Sequence, residues 1–66
     1  MALVMNRFED GPLRGVTLPV DHAAQEYRHT VRERAPGGGN RSVVYVYRRS
    51  GRTTFALVRE EDGGSA

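Results

Sequence analysis

The sequence predicts a mainly β fold, a small antiparallel meander of four or five strands or a partly open barrel. Three observations predict it. Residues 42–49 and 52–60 are runs rich in β-branched and aromatic residues on either side of Ser50-Gly51, the pattern of a β-hairpin. Two further short apolar stretches, residues 2–8 and 16–20, are separated by a turn rich in Gly and Pro. The chain has 66 residues and no cysteine, so it holds one domain at most and no disulfide.

Taken in order, the first strand runs from Ala2 to Phe8, with Leu3, Met5 and Arg7 alternating against Val4 and Phe8. Glu9-Asp10-Gly11-Pro12 reads as a turn, because Gly supplies unusual dihedrals and Pro fixes the next φ. Leu13-Arg14-Gly15 continues the reversal. Val16 to Val20 forms a second strand, which Pro19 places at a sheet edge or terminates.

The run Phe8-Glu9-Asp10-Gly11-Pro12-Leu13-Arg14-Gly15, followed by Val16-Thr17-Leu18-Pro19-Val20, resembles the opening of a group of short proteins from tailed phages and high-GC actinobacteria. Their pattern is an aromatic, a spacer, Gly-Gly-Pro, a hydrophobic residue, Asp-Gly and a short apolar strand. Asp10 stands where the first Gly would be, and Arg14 stands in place of the Asp. The resemblance covers the first third of the chain; beyond it a Tyr-containing strand and a closing hairpin are shared. It implies a phage or actinobacterial setting and supplies no site residues.

Residues 21–35 admit two readings. Asp21 can cap a helix in which Ala23, Tyr27, Val31 and Ala35 recur at every fourth position, ended by Pro36-Gly37. The fold would then be α+β. Alternatively, Tyr27, His29 and Val31 alternate with Arg28, Thr30 and Arg32 in a strand beginning near Glu26. The resemblance favours the strand, and the strand is preferred. Pro36-Gly37-Gly38-Gly39-Asn40 is a connector, since it lacks the Lys and Ser/Thr of a phosphate loop.

For the hairpin, a two-residue Ser50-Gly51 loop sets Val46 opposite Phe55. A three-residue Arg49-Ser50-Gly51 loop sets Tyr45 opposite Phe55 and puts Gly51 in the left-handed region. The second is preferred, for the glycine and for the aromatic pair. Val43, Tyr45 and Tyr47 lie on one face of the first hairpin strand and Val44 and Val46 on the other. Ala56 and Val58 similarly oppose Phe55 and Leu57. Both faces are thus apolar, and the second calls for a cover from a helix, another layer or another chain. The domain is expected to span residues 1–62, followed by a disordered tail at 63–66.

Composition narrows function. Ten arginines face eight carboxylates, a net charge of +2 that falls short of a dedicated nucleic-acid coat. The arginines with no lysine, isoleucine or tryptophan suit GC-rich coding. No stretch reaches the length of a membrane span, and Met1 to Met5 lacks the basic leader of a signal peptide, so a cytoplasmic location is expected, the host cytoplasm for a phage product. His22 and His29 show no metal-ligand spacing, and no nucleophile elbow surrounds Ser42 or Ser50. The expectation is a non-enzymatic chain without cofactor. Arg48, Arg49 and Arg52 crowd the hairpin tip in front of Tyr45 and Tyr47, and these five are the candidate binding residues. Tyr and Arg are the enriched anchors of protein interfaces, so a protein partner or self-association is favoured. A nucleic-acid module and a structural subunit of a larger assembly are the alternatives.

Overall fold

A computed structural model describes residues 2–65, with the main chain alone for residues 64 and 65. Five strands are formed: β1 (Leu3–Phe8), β2 (Thr17–Asp21), β3 (Glu26–Arg34), β4 (Asn40–Gly51) and β5 (Thr54–Ser65). They make one sheet in the order β2-β1-β5-β4-β3. The fold is mainly β, with no α-helix among the described residues and one 3-10 turn at Gly11–Leu13.

The sheet is curled into an open half-barrel. Phe8 on β1 and Tyr27 on β3 stand three strands apart in the order, about 14 Å in a flat sheet. Their ring centroids are 5.0 Å apart. Bulges supply the bend, since an extra residue on one strand tightens its twist. In the β4–β5 ladder the register shifts between Ser42 and Val43, between Val46 and Tyr47, and between Arg49 and Gly51. Gly63, Val58 and Ser50 are the residues left over.

One junction departs from an antiparallel meander. β1 runs parallel to β5, pairing Arg7 with Thr54 and Phe8 with Phe55. Its ladder is short because it serves one contact: Phe8 stacks on Phe55 at 5.4 Å and meets the edge of Tyr47 at 4.9 Å. Phe8, Phe55 and Tyr47 are fully buried and, with Leu13 and Val20, form the core.

The segment after Asp21 is strand β3, so the helical alternative for residues 21–35 does not form. Asp21 does cap, but it caps a turn: its carboxylate accepts the Ala23 N–H at 2.9 Å. From Glu26 onward the odd positions Tyr27, His29 and Val31 lie opposite Tyr47, Tyr45 and Val43 on the inner face. That long-range pairing outweighs the local four-residue recurrence of apolar residues. Gly37, Gly38 and Gly39 all take positive φ in the β3–β4 turn, the plain connector expected of them.

Neither expected hairpin loop is present. The turn is Arg52-Thr53, with Gly51 opposite Thr54 and Arg49 opposite Phe55. Gly51 therefore has no positive φ. A Cβ there would lie 2.5 Å from the Thr54 hydroxyl and force it to turn away from the Ser50 hydroxyl, which it bonds at 3.0 Å. At the other end, β5 runs on to Ser65, with Gly64 opposite Ser42 and Ser65 opposite Arg41. Residues 63–65 are thus strand where a tail was expected, held by the length of β4; Ala66 lies outside the described residues.

The second apolar face is covered in part by the chain itself. Val46 is fully buried without a further layer. Its cross-strand neighbours are Arg28 and Arg59, whose aliphatic stems flank it. Glu61 ties the two together, at 2.9 Å from Arg28 and 2.7 Å from Arg59. Two bridged arginines thus cover Val46, while Val44 is half-buried and Val58 remains exposed. Val46→Arg is accordingly expected to unfold the chain rather than yield a folded monomer, because a third guanidinium would be forced into the same row. Circular dichroism of the variant checks this.

Candidate functional site

The five candidate residues separate into two groups. Tyr47 and Arg49 face inward and hold the fold together. Tyr45 is half-buried against the core, while Arg48 and Arg52 are exposed. The arginine tip is thereby reduced to two free side chains.

Tyr47 anchors the turn that follows β1. Its hydroxyl donates to the Asp10 carbonyl at 2.9 Å and accepts the Leu13 N–H at 3.1 Å. Gly11 lies directly above it, at φ 71°, and a Cβ there would fall 2.6 Å from the phenol oxygen. This glycine is one of those on which the phage-like resemblance rests, and its role is geometric. Asp10, where that pattern has another Gly, uses its carboxylate to accept the Leu57 N–H at 2.7 Å.

Burial raises the Tyr47 pKa, because the phenolate would lose its hydration. The folded chain therefore holds this proton more tightly than the unfolded one. The associated stability is complete below about pH 10 and is lost as pH rises through the folded-state value. Tyr47→Phe is expected to remove that alkaline contribution while costing about 1–2 kcal/mol at neutral pH, since the Leu13 N–H loses its acceptor. Urea melts across the alkaline range measure both.

Arg49 is the hub of the inner face. Its guanidinium donates to the carbonyls of Ala24 (2.8 Å), Arg52 (2.7 Å) and Asp21 (3.3 Å), and to Asn6 Oδ1 (2.9 Å). The same group lies 4.7 Å over the Phe55 ring. One side chain so joins β1, the β2–β3 link and the hairpin turn. The sequence carries a faint signal of this: Asn6 is a lone amide in phase with Val4 and Phe8 on the inward face of β1, and a buried amide needs a partner.

The outer face is a row of ion pairs. Arg28 bonds Glu26 at 3.0 Å as well as Glu61, while at the far end of the inner face Glu33 pairs with its cross-strand neighbour Arg41 at 2.7 Å. Glu61 is held below the usual carboxylate range by hydrogen bonds from Arg59 and then Arg28. These charges are mutually satisfied. A recess bounded by Arg41, Val43, Glu60, Glu61 and Asp62 has a volume of about 190 Å³, less than the roughly 300 Å³ at which small-molecule sites begin.

What remains open is main chain. Curling leaves β2 and β3 as the two edges of the sheet. In β2 the edge-facing position Pro19 has no N–H to offer. The edge of β3 runs over nine residues without a proline. Such an edge is a property of strand order, and strand order is not written in any one segment. No protein-family model, curated protein or solved structure matches the chain. No helix among the described residues is long and apolar enough to cross a membrane.

Proposed function

We propose that this chain is a small non-catalytic module that binds another protein, with a phage or actinobacterial setting suggested by residues 8–20. The observation that supports it is the nine-residue open edge of β3, held beside a core of stacked aromatics. Edge strands are the template on which extended peptides add by main-chain hydrogen bonding. Nucleic-acid binding through the hairpin tip draws less support, because the Arg49 guanidinium is engaged by four internal acceptors. Arg48 and Arg52 alone offer few phosphate contacts.

Two measurements made together test this. A random-peptide display library is selected against the protein, and DNA and RNA oligonucleotides are titrated at increasing salt. Selected peptides are expected to bind with an affinity that persists at moderate salt, since main-chain and apolar contacts are little screened. Nucleic-acid binding that is tight at physiological salt, falls steeply as salt rises and disappears in Arg48→Ala/Arg52→Ala would overturn the reading.

A further inference from the structure

We infer that the β3 edge accepts an extended acidic segment of a partner protein, added as a sixth strand. This rests on the protein-binding reading above and assigns it a surface and a partner chemistry. The main chain is the first part. Gln25 accepts the Arg49 N–H at 2.9 Å, and the Ala35 N–H reaches the Gly39 carbonyl at 3.0 Å. With the antiparallel register, these bonds fix the phase of the ladder: the odd residues of β3 bond to β4. The even ones, Glu26, Arg28, Thr30, Arg32 and Arg34, aim their N–H and C=O groups outward. An alternating row of donors and acceptors is matched by another peptide backbone. A phosphate chain, which only accepts, does not match it.

Other edges offer less. Along β1 the Phe8 N–H bonds Val16 and the His22 N–H bonds Ala2, so the even residues face β2. Only Leu3 and Met5 present their main chain on the far side before β5 begins at Arg7.

Side chains give the partner its character. Even residues of β3 share the outer face, and there Arg28 is already held by Glu26 and Glu61. Arg32 and Arg34 are exposed, with the neutral Ser42 and Asn40 as cross-strand neighbours. Two guanidinium groups thus stand at one end of the edge with no carboxylate in their rows. An incoming strand with carboxylates on this face forms the cross-strand pairs that its neighbours do not. On the inner face Tyr27, His29 and Val31 are half-buried, which calls for apolar residues at the alternate positions. A second copy of the chain fits less well: antiparallel pairing centred on Thr30 sets Arg28 of one copy opposite Arg32 of the other, twice, and the two Glu26–Arg34 pairs of the same register would draw on a carboxylate that Arg28 already holds. Charge on an edge strand ordinarily deters indiscriminate pairing. Here it also selects.

The probe is a synthetic peptide as long as β3, Glu-Thr-Glu-Val-Thr-Val-Glu-Val-Lys, which places Glu opposite Arg34, Arg32 and Arg28 when antiparallel. A charge-swapped peptide, with Lys for Glu and Glu for Lys, is the control. Both are titrated into the full chain with amide hydrogen exchange read by NMR. The acidic peptide is expected to bind and to slow exchange at Glu26, Arg28, Thr30, Arg32 and Arg34 by about ten-fold or more, leaving the odd amides as they were. Arg32→Glu/Arg34→Glu, at two exposed sites and first checked by its spectrum to be folded, is expected to weaken it about ten-fold and to reverse the preference between peptides. Equal binding of the two peptides, or none, overturns the inference. Protection at Leu3 and Met5 instead moves the site to β1, so the inference fails while the protein-binding reading stands. Protection of the even amides that grows with protein concentration alone makes the occupant a second copy and overturns the acidic partner. Failure of both peptides together with tight oligonucleotide binding overturns both readings.

Discussion

Phe55→Ala is expected to leave the chain largely unfolded at room temperature. The ring is fully buried, stacked at 5.4 Å on Phe8, edge-on to Tyr27 at 6.4 Å and capped by the Arg49 guanidinium. Truncating such a ring costs about 3–5 kcal/mol, from lost transfer free energy and the cavity left behind. A domain of this size has about 3–10 kcal/mol to lose. Collapse of the site cannot soften the loss, because Phe55 also carries the only rung that joins β1 to β5 through a core ring pair. Phe55→Leu should recover much of the stability by refilling the volume. Urea denaturation followed by far-UV circular dichroism distinguishes the three chains. A Phe55→Ala chain that melts with the parent would place the core elsewhere.

The aromatic residues were also where the sequence was most legible. Alternation and β-branching mark out β1, β2, β4 and the first part of β5, and the burial of Phe55 is readable from its neighbours; over β3 they left a helix open, and residues 63–65 carry no such pattern. Register was not legible. Three bulges displace the pairing along β4 and β5, and a bulge changes which residues face each other without altering the local pattern. Gly51 illustrates the point: as a glycine in a turn it suggests a positive φ, yet it has none, and what a Cβ there would disturb is the Thr54 hydroxyl bonded to Ser50. The outer face misled for a related reason. Val46 reads as bare apolar surface, but its cover comes from Arg28 and Arg59, joined by Glu61, residues whose charges suggest solvent, while Val58 stays exposed.

The candidate site was only half legible. A cluster of arginines beside tyrosines has one composition whether it faces a partner or the core, and no local feature distinguishes Arg48 from Arg49. Alternation places them on opposite faces, but which face is inward depends on where β1 and the β2–β3 link come to lie. The open edge was hidden more deeply still. It exists because β5 inserts between β1 and β4 and leaves β3 at the margin, a consequence of pairing between segments more than forty residues apart.

Arg49→Met is expected to cost about 3 kcal/mol, although Arg49 lies on a partly exposed strand near a turn. Hydrogen bonds from a charged donor contribute about 1.5–3 kcal/mol each, and those sharing one side chain do not add independently. The larger part of the loss comes from what is left behind. Asn6 is fully buried, and its Oδ1 has the Arg49 guanidinium as partner while its amide donates to the Val4 carbonyl at 2.8 Å. Methionine keeps an unbranched apolar side chain opposite Phe55 but leaves that oxygen without a donor. Arg49→Lys should fall between parent and Met, since an ammonium can reach some of the acceptors but cannot span Asn6, Ala24 and Arg52 as a planar fork does. The decisive comparison is the double variant Asn6→Leu/Arg49→Met. Removing both partners of a buried pair is far less damaging than removing one. The double variant should therefore be more stable than the sum of the two single losses implies, by about 1–2 kcal/mol. Urea melts of the four chains give the coupling directly. Simple additivity would mean that water reaches the Asn6 amide and that the hub acts through its carbonyl contacts alone.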